Sequence, residues 1–121
     1  MEYQVSLKKV TVSKLNVTVD IKDQEPFQVE ETHQASVFEP KESNEPTVLI
    51  HNQCTLKNTA DETQFSISME ADFIFEFNPI PEQWIATASD YCPKLIKAKT
   101  AEIVNSILHS MGHAFAVSAN R

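Results

Sequence analysis

From Tyr3 onward the chain alternates apolar and polar residues, and the alternation changes phase twice. Tyr3, Val5 and Leu7 hold odd positions, Val10 and Val12 even ones, and Leu15, Val17, Val19 and Ile21 odd ones again. The slips fall at Lys8-Lys9 and Ser13-Lys14. Period-two alternation marks a strand with one face buried. A slip turns the apolar set to the wrong face unless a bulge or bend absorbs a residue. The pattern therefore predicts one long bent strand, or two in succession, over Tyr3–Ile21. A turn follows at Lys22-Asp23-Gln24-Glu25-Pro26. Phe27 and Val29 open a second strand that ends near Ala35, Val37 or Phe38, with a polar middle at 30–34. Pro40 to Pro46 reads as a solvated loop. Val48, Ile50, Asn52, Cys54 and Leu56 take the even positions of a third strand, and 57–62 forms the next turn.

The fourth strand is the cleanest. Phe65, Ile67, Met69, Ala71, Phe73, Phe75 and Phe77 occupy every odd position, opposed by Ser66, Ser68, Glu70, Asp72, Ile74 and Glu76. One face is apolar and the other largely acidic, as in an antiparallel sheet with one wet side. Asn78-Pro79-Ile80-Pro81 ends it, and Gln83–Asp90 reads as a link anchored by Trp84. A helix is predicted over Tyr91–Gly112, with Ile96, Ile103, Ile107 and Met111, flanked by Val104 and Leu108, on one face. Pro93 suits a first helical turn, where its missing N–H has no partner in any case. Gly112 suits the left-handed stop. The segment after it, 113–118, reads as a short strand or extended arm. The expected fold is α+β: a four-stranded antiparallel sheet followed by one long C-terminal helix, in a single domain over residues 1–121. One helix covers roughly one face of such a sheet. The remaining edges and faces are a physical reason to expect a homo-oligomer.

Composition narrows the function. A net charge of −7 argues against nucleic acid, whose phosphates demand a basic face, and favours a basic partner. No apolar run approaches the roughly 20 residues that span a bilayer, so no membrane insertion is expected. The start, Met1 to Val5, lacks the basic-then-apolar layout of a signal peptide, and a cytoplasmic location is expected. Cys54 and Cys92 are then read as free thiols. A single glycine rules out glycine-rich phosphate loops and dinucleotide fingerprints.

Tyr91-Cys92-Pro93 opening the helix, then Leu95, Ile96, Glu102, Ile103 and Val104, resembles the SecB family of export chaperones. That family also has a long bent first strand and a crossover between its four-stranded sheet and its helix. The order of elements matches over essentially the whole chain, whereas the motif covers only the helix and its entry. Ala98 and Ala101 stand where the family has a proline and an arginine, and the second helix and metal-binding tail are not found in these 121 residues. The resemblance implies a cytoplasmic homotetramer, built as a dimer of dimers, that binds unfolded polypeptides without ATP. It makes docking on the export motor ATPase a weaker expectation.

Candidate residues follow. Phe27, Val29, Phe38, Trp84 and Ile85 lie outside the regular core pattern and are candidates for binding unfolded clients; core packing competes as an explanation. Asp20, Glu70, Asp72 and Glu76 form an acidic set that the resemblance turns towards the motor, and a solvated strand face explains them equally. Ile103, Val104, Ile107, Leu108 and Met111 are candidates for the oligomer interface; Ile96, Ile103, Ile107 and Met111 form one group and Val104 and Leu108 another, and the pattern leaves open which meets the sheet and which a second subunit. His109 and His113 are separated by Gly112 and have no acidic third ligand nearby, so no metal site is expected. Cys92 sits at a predicted helix start, where the dipole lowers a thiol pKa, but a structural thiol is the simpler reading. No nucleophile–base arrangement and no cofactor is implied. The competing readings are a small hot-dog-type thioester hydrolase, disfavoured because its helix precedes most strands, and a structural or assembly subunit.

Overall fold

The computed structural model describes residues 2–20, 28–59 and 65–112. The chain falls into two compact units, residues 1–80 and residues 81–121. The first unit holds four strands: β1 (Gln4–Val19), β2 (Val29–Phe38), β3 (Thr47–Asn58) and β4 (Phe65–Asn78). They form one antiparallel sheet in the order β1-β4-β3-β2. The second unit holds one helix, α1 (Trp84–Ser110). The α+β class and the order of elements are those expected.

β1 is a single strand of 16 residues. Its register against β4 skips a residue between Leu7 and Lys9 and another between Val12 and Lys14. These irregularities are the two phase slips of the sequence. Each absorbs one residue, so Leu7 faces Phe75, Val10 faces Phe73, Val12 faces Ala71 and Leu15 faces Met69. The apolar residues of β1 thus stay on one side throughout. Ser13, at the second irregularity, donates its hydroxyl to the Glu70 carbonyl at 3.2 Å.

That side is the buried one. All odd residues of β4 from Phe65 to Phe77 are buried, as are Val48, Ile50, Asn52, Cys54, Leu56 and Asn58 of β3. Phe73 and Phe75 stack with centroids 6.3 Å apart, and Tyr3 meets Phe77 edge-on. Burial fades at the edge strand, where Val12 and Leu15 stay about two-fifths exposed.

The helix corrects the sequence reading in three ways. It begins at Trp84, seven residues before the expected start, so the predicted link is its first two turns. Pro93 therefore lies inside the helix. It has no N–H for the Ser89 carbonyl, which is tolerable because Ser89 is exposed to water. The buried line is also different. Trp84, Ala88, Cys92, Ile96, Thr100, Val104 and Leu108 follow one another at four-residue spacing, joined by Ala101. A turn takes about 3.6 residues, so this line winds around the helix as it descends. Val104 and Leu108 are fully buried, whereas Ile103 and Ile107 are half-buried and Met111 is 48% exposed. Of the apolar helix positions, Ile96, Val104 and Leu108 therefore share the buried line, and Ile103, Ile107 and Met111 lie beside it. The stop is as expected: Gly112 has φ +91° and donates its N–H to the His109 carbonyl at 3.0 Å.

Candidate functional site

Strand register decides what the second face of the sheet presents. The rows across it are polar from one end almost to the other: Thr18, Ser66, Lys57 and Glu30; Asn16, Ser68, Thr55 and Thr32; Lys14, Glu70, Gln53 and Gln34; Thr11, Asp72, His51 and Ser36. The next row breaks the pattern. Ile74 pairs with Leu49, and Leu49 pairs with Phe38, with Lys9 at the β1 end. Three apolar side chains thus cross β4, β3 and β2 in one line, and Phe38 is 55% exposed. An open cleft of about 360 Å³ lies over them, lined also by Pro40 and bordered by Glu39, Lys41 and Glu45. Apolar walls with a charged border suit the side chains of an extended peptide. β2 is an edge strand among the described residues, and its Phe38 end reaches the cleft.

Of the residues expected to bind clients, Phe38 is in this cleft. Phe27 lies outside the described residues. Val29 is half-buried on the opposite, apolar side of β2, across from Asn58. Trp84 is buried as the first residue of α1, which removes it from an accessible surface. Ile85, the next residue, is 57% exposed. Leu49 and Ile74 were not singled out from sequence. The available signal was Ile74, the one apolar residue opposite the phenylalanines of β4.

The acids of β4 share the cleft's face but are held by neighbours. Asp72 accepts from His51 Nδ1 at 2.7 Å, and Glu70 Oε1 lies 3.3 Å from His51 Nε2 and accepts from Gln53 at 3.1 Å. Lys14 is 3.5 Å from Glu70 and Lys8 is 3.7 Å from Glu76. The bond to Asp72 raises the His51 pKa above its ordinary value; burial opposes it, and the bond to Glu70 and the charges of both acids add to the rise. Gln53, His51 and Lys14 together lower that of Glu70. Asp20 stands exposed just beyond β1.

In α1 a second line runs beside the buried one, through Tyr91, Leu95, Lys99, Ile103, Ile107 and Met111. Its apolar members are half-buried or exposed. Ile103, Ile107 and Met111 therefore keep surface for a second chain. Val104 and Leu108 have none left, which corrects their expected role at an interface. Cys92 lies in the helix interior and is buried, with its thiol pushed up to about 12 by desolvation, the opposite of activation by a helix start. Burial, then the charge of Glu31, pushes Cys54 to about 12 as well.

One group of metal-ligating type was not foreseen. Glu31, His33 and Cys54 bring a carboxylate oxygen, a ring nitrogen and a thiol within 4.8 Å of one another. Of the histidine pair weighed from sequence, His109 is exposed in the last turn, and His113 lies outside the described residues.

This order of elements, with four antiparallel strands and then one long helix, is a SecB-like fold. No protein-family model matches the sequence, and no curated protein matches it either. Among solved structures, the chain is similar to the Mycobacterium tuberculosis Rv1957 SecB-like chaperone in complex with a ChAD peptide from the Rv1956 HigA1 antitoxin. The TM-score is 0.66 at 8% identity, covering 97% of this chain and 88% of that one. No helix among the described residues is long and apolar enough to cross a membrane.

Proposed function

We propose that this protein is an ATP-independent chaperone that holds unfolded polypeptides through the Phe38–Leu49–Ile74 row. The observation that carries the reading is this apolar row, open to solvent at Phe38, on a sheet face that is otherwise polar. An extended client would lay apolar side chains into the cleft and add backbone hydrogen bonds at the Phe38 end of β2, the edge strand among the described residues. Each such contact is weak. Several copies in one oligomer raise the effective concentration and give a useful combined affinity. We therefore propose a cytoplasmic homo-oligomer, a dimer of dimers by analogy with the SecB family, with Leu95, Ile103, Ile107 and Met111 as the helix surface that meets another chain. The solved SecB-like chaperone bound to a peptide supports the polypeptide class of ligand.

Nothing in this mechanism requires a cofactor or a covalent step. Glu70, Asp72 and Glu76, with Asp20 nearby, offer a negative surface to a basic partner, and an export motor is one candidate. The thioester hydrolase reading is weakened because α1 follows all four strands.

The direct test is dilution of a chemically unfolded, slow-refolding protein into increasing amounts of this one, without nucleotide, followed by light scattering. Suppression that saturates near one oligomer per client is expected. A stable oligomer that leaves scattering unchanged would reduce the fold to a structural or assembly role.

A further inference from the structure

On the apolar side of the sheet, at its β2 edge, the rows contain two residues that do not belong to a hydrocarbon face. Glu31 lies across from Leu56, which lies across from Ile67. His33 lies across from Cys54, which lies across from Met69. Glu31 and His33 are two residues apart on one strand and so share a face, and register brings the thiol to the imidazole. The Glu31 side chain is 9% exposed and that of His33 15%. A carboxylate so far from water needs a strong partner. Its hydrogen bond is to the ring of His33, at 2.8 Å from Nε2. On the other side of the ring the Asn52 side-chain nitrogen lies 3.0 Å from Nδ1.

We propose that Glu31, His33 and Cys54 form a binding site for a zinc-type divalent ion, with the fourth coordination position open. Sulfur, nitrogen and oxygen donors together suit zinc better than the all-oxygen cations. Tetrahedral zinc, with bonds of about 2.0–2.3 Å, sets its ligand atoms roughly 3.3–3.7 Å apart. The Nε2 to carboxylate distance is 2.8 Å and the Sγ to Nε2 distance 3.9 Å, so small side-chain adjustments reach that geometry. The proton count closes. The thiol proton leaves to solvent, and His33 binds through Nε2 with its ring proton on Nδ1. After an amide flip, Nδ1–H donates to the Asn52 carbonyl oxygen. Asn52 thereby becomes a positioning residue for the imidazole, the outer-shell partner that a ligating histidine needs. The site rests on strand register and not on the chaperone reading.

Cobalt(II) titration of the full chain tests it, because thiolate ligation gives a charge-transfer band in the near ultraviolet and tetrahedral geometry gives visible bands. Saturating bands that zinc displaces are expected. They should vanish in Cys54→Ser, and the affinity should fall about 10- to 100-fold in Asn52→Leu, which leaves all three ligands in place. Circular dichroism checks the sheet in each variant. If Cys54→Ser does not fold, Glu31→Gln, nearly equal in shape, must still weaken cobalt binding. Absence of a thiolate band in the wild type, or bands that survive Cys54→Ser, would overturn the proposal.

Discussion

Truncating Phe38 to alanine separates binding from folding. A large aromatic side chain buries about 150–250 Å² when fully covered. Phe38 is 55% exposed, so roughly 80–140 Å² remains for a client to cover. At about 25 cal/mol per Å² that is a ceiling of roughly 2–3.5 kcal/mol per site. Ordering a flexible client takes back part of it, so we expect affinity for an unfolded segment to fall about ten- to a hundredfold. Stability should change much less. A fully buried phenylalanine costs about 3–5 kcal/mol when cut to alanine, and a half-exposed one at a strand end about 1–2 kcal/mol. Phe73→Ala, at 0% exposure and stacked on Phe75, provides the contrast. The assay pairs fluorescence anisotropy of a labelled unfolded client with urea denaturation for each variant. Phe38→Ala with wild-type affinity, or with a stability loss matching Phe73→Ala, refutes the assignment of the cleft.

The His51 pKa is raised by Asp72 and then Glu70, so its bridge adds stability that is fully present below the ordinary histidine value and is lost as pH rises through the raised one. His51→Gln should therefore flatten the dependence of the urea midpoint on pH across the neutral range. Glu70 has the opposite sign, its lowered pKa giving stability that fades only as pH falls into the acid range. In α1, Leu108→Ala should lose about 2–5 kcal/mol of folding stability, whereas Ile107→Ser should weaken the oligomer in sedimentation at low protein concentration and leave each chain folded. Thr100 buries a hydroxyl that has no hydrogen-bond partner among the described residues, so Thr100→Val should raise the denaturation midpoint by the equivalent of about 1 kcal/mol. Deleting Ser13 removes the residue that the second irregularity absorbs, and should destabilise the sheet far more than Ser13→Ala, as thermal unfolding of the two variants would show.

The sheet was legible because a strand writes its burial into the chain at period two. The irregularities of β1 were legible for the same reason, since an absorbed residue leaves a phase slip at Lys8-Lys9 and Ser13-Lys14. The start of α1 was not. Proline rules placed Pro93 in a first turn, but a carbonyl left unpaired at Ser89 costs little when water reaches it. The buried line of α1 was not legible because large side chains alone do not mark it. Ala88, Cys92, Thr100 and Ala101 carry much of the real buried line, and small residues lie there as readily as isoleucine.

Both candidate sites share one cause of concealment. Phe38, Leu49 and Ile74 come from three strands, and Glu31, His33 and Cys54 from two. Each residue is ordinary alone, and only register makes it part of a constellation. Parity within each strand did hold a warning. Ile74 is apolar where its neighbours two residues away are acidic, and Glu31 and His33 are polar where Val29, Ala35 and Val37 are apolar. A residue that breaks parity forgoes the burial or solvation its face would give. Where such residues gather, across one row of three strands or two apart on one strand, a shared ligand is one compensation. The apolar break at the cleft calls for an apolar segment, and the polar break on the opposite face calls for a cation.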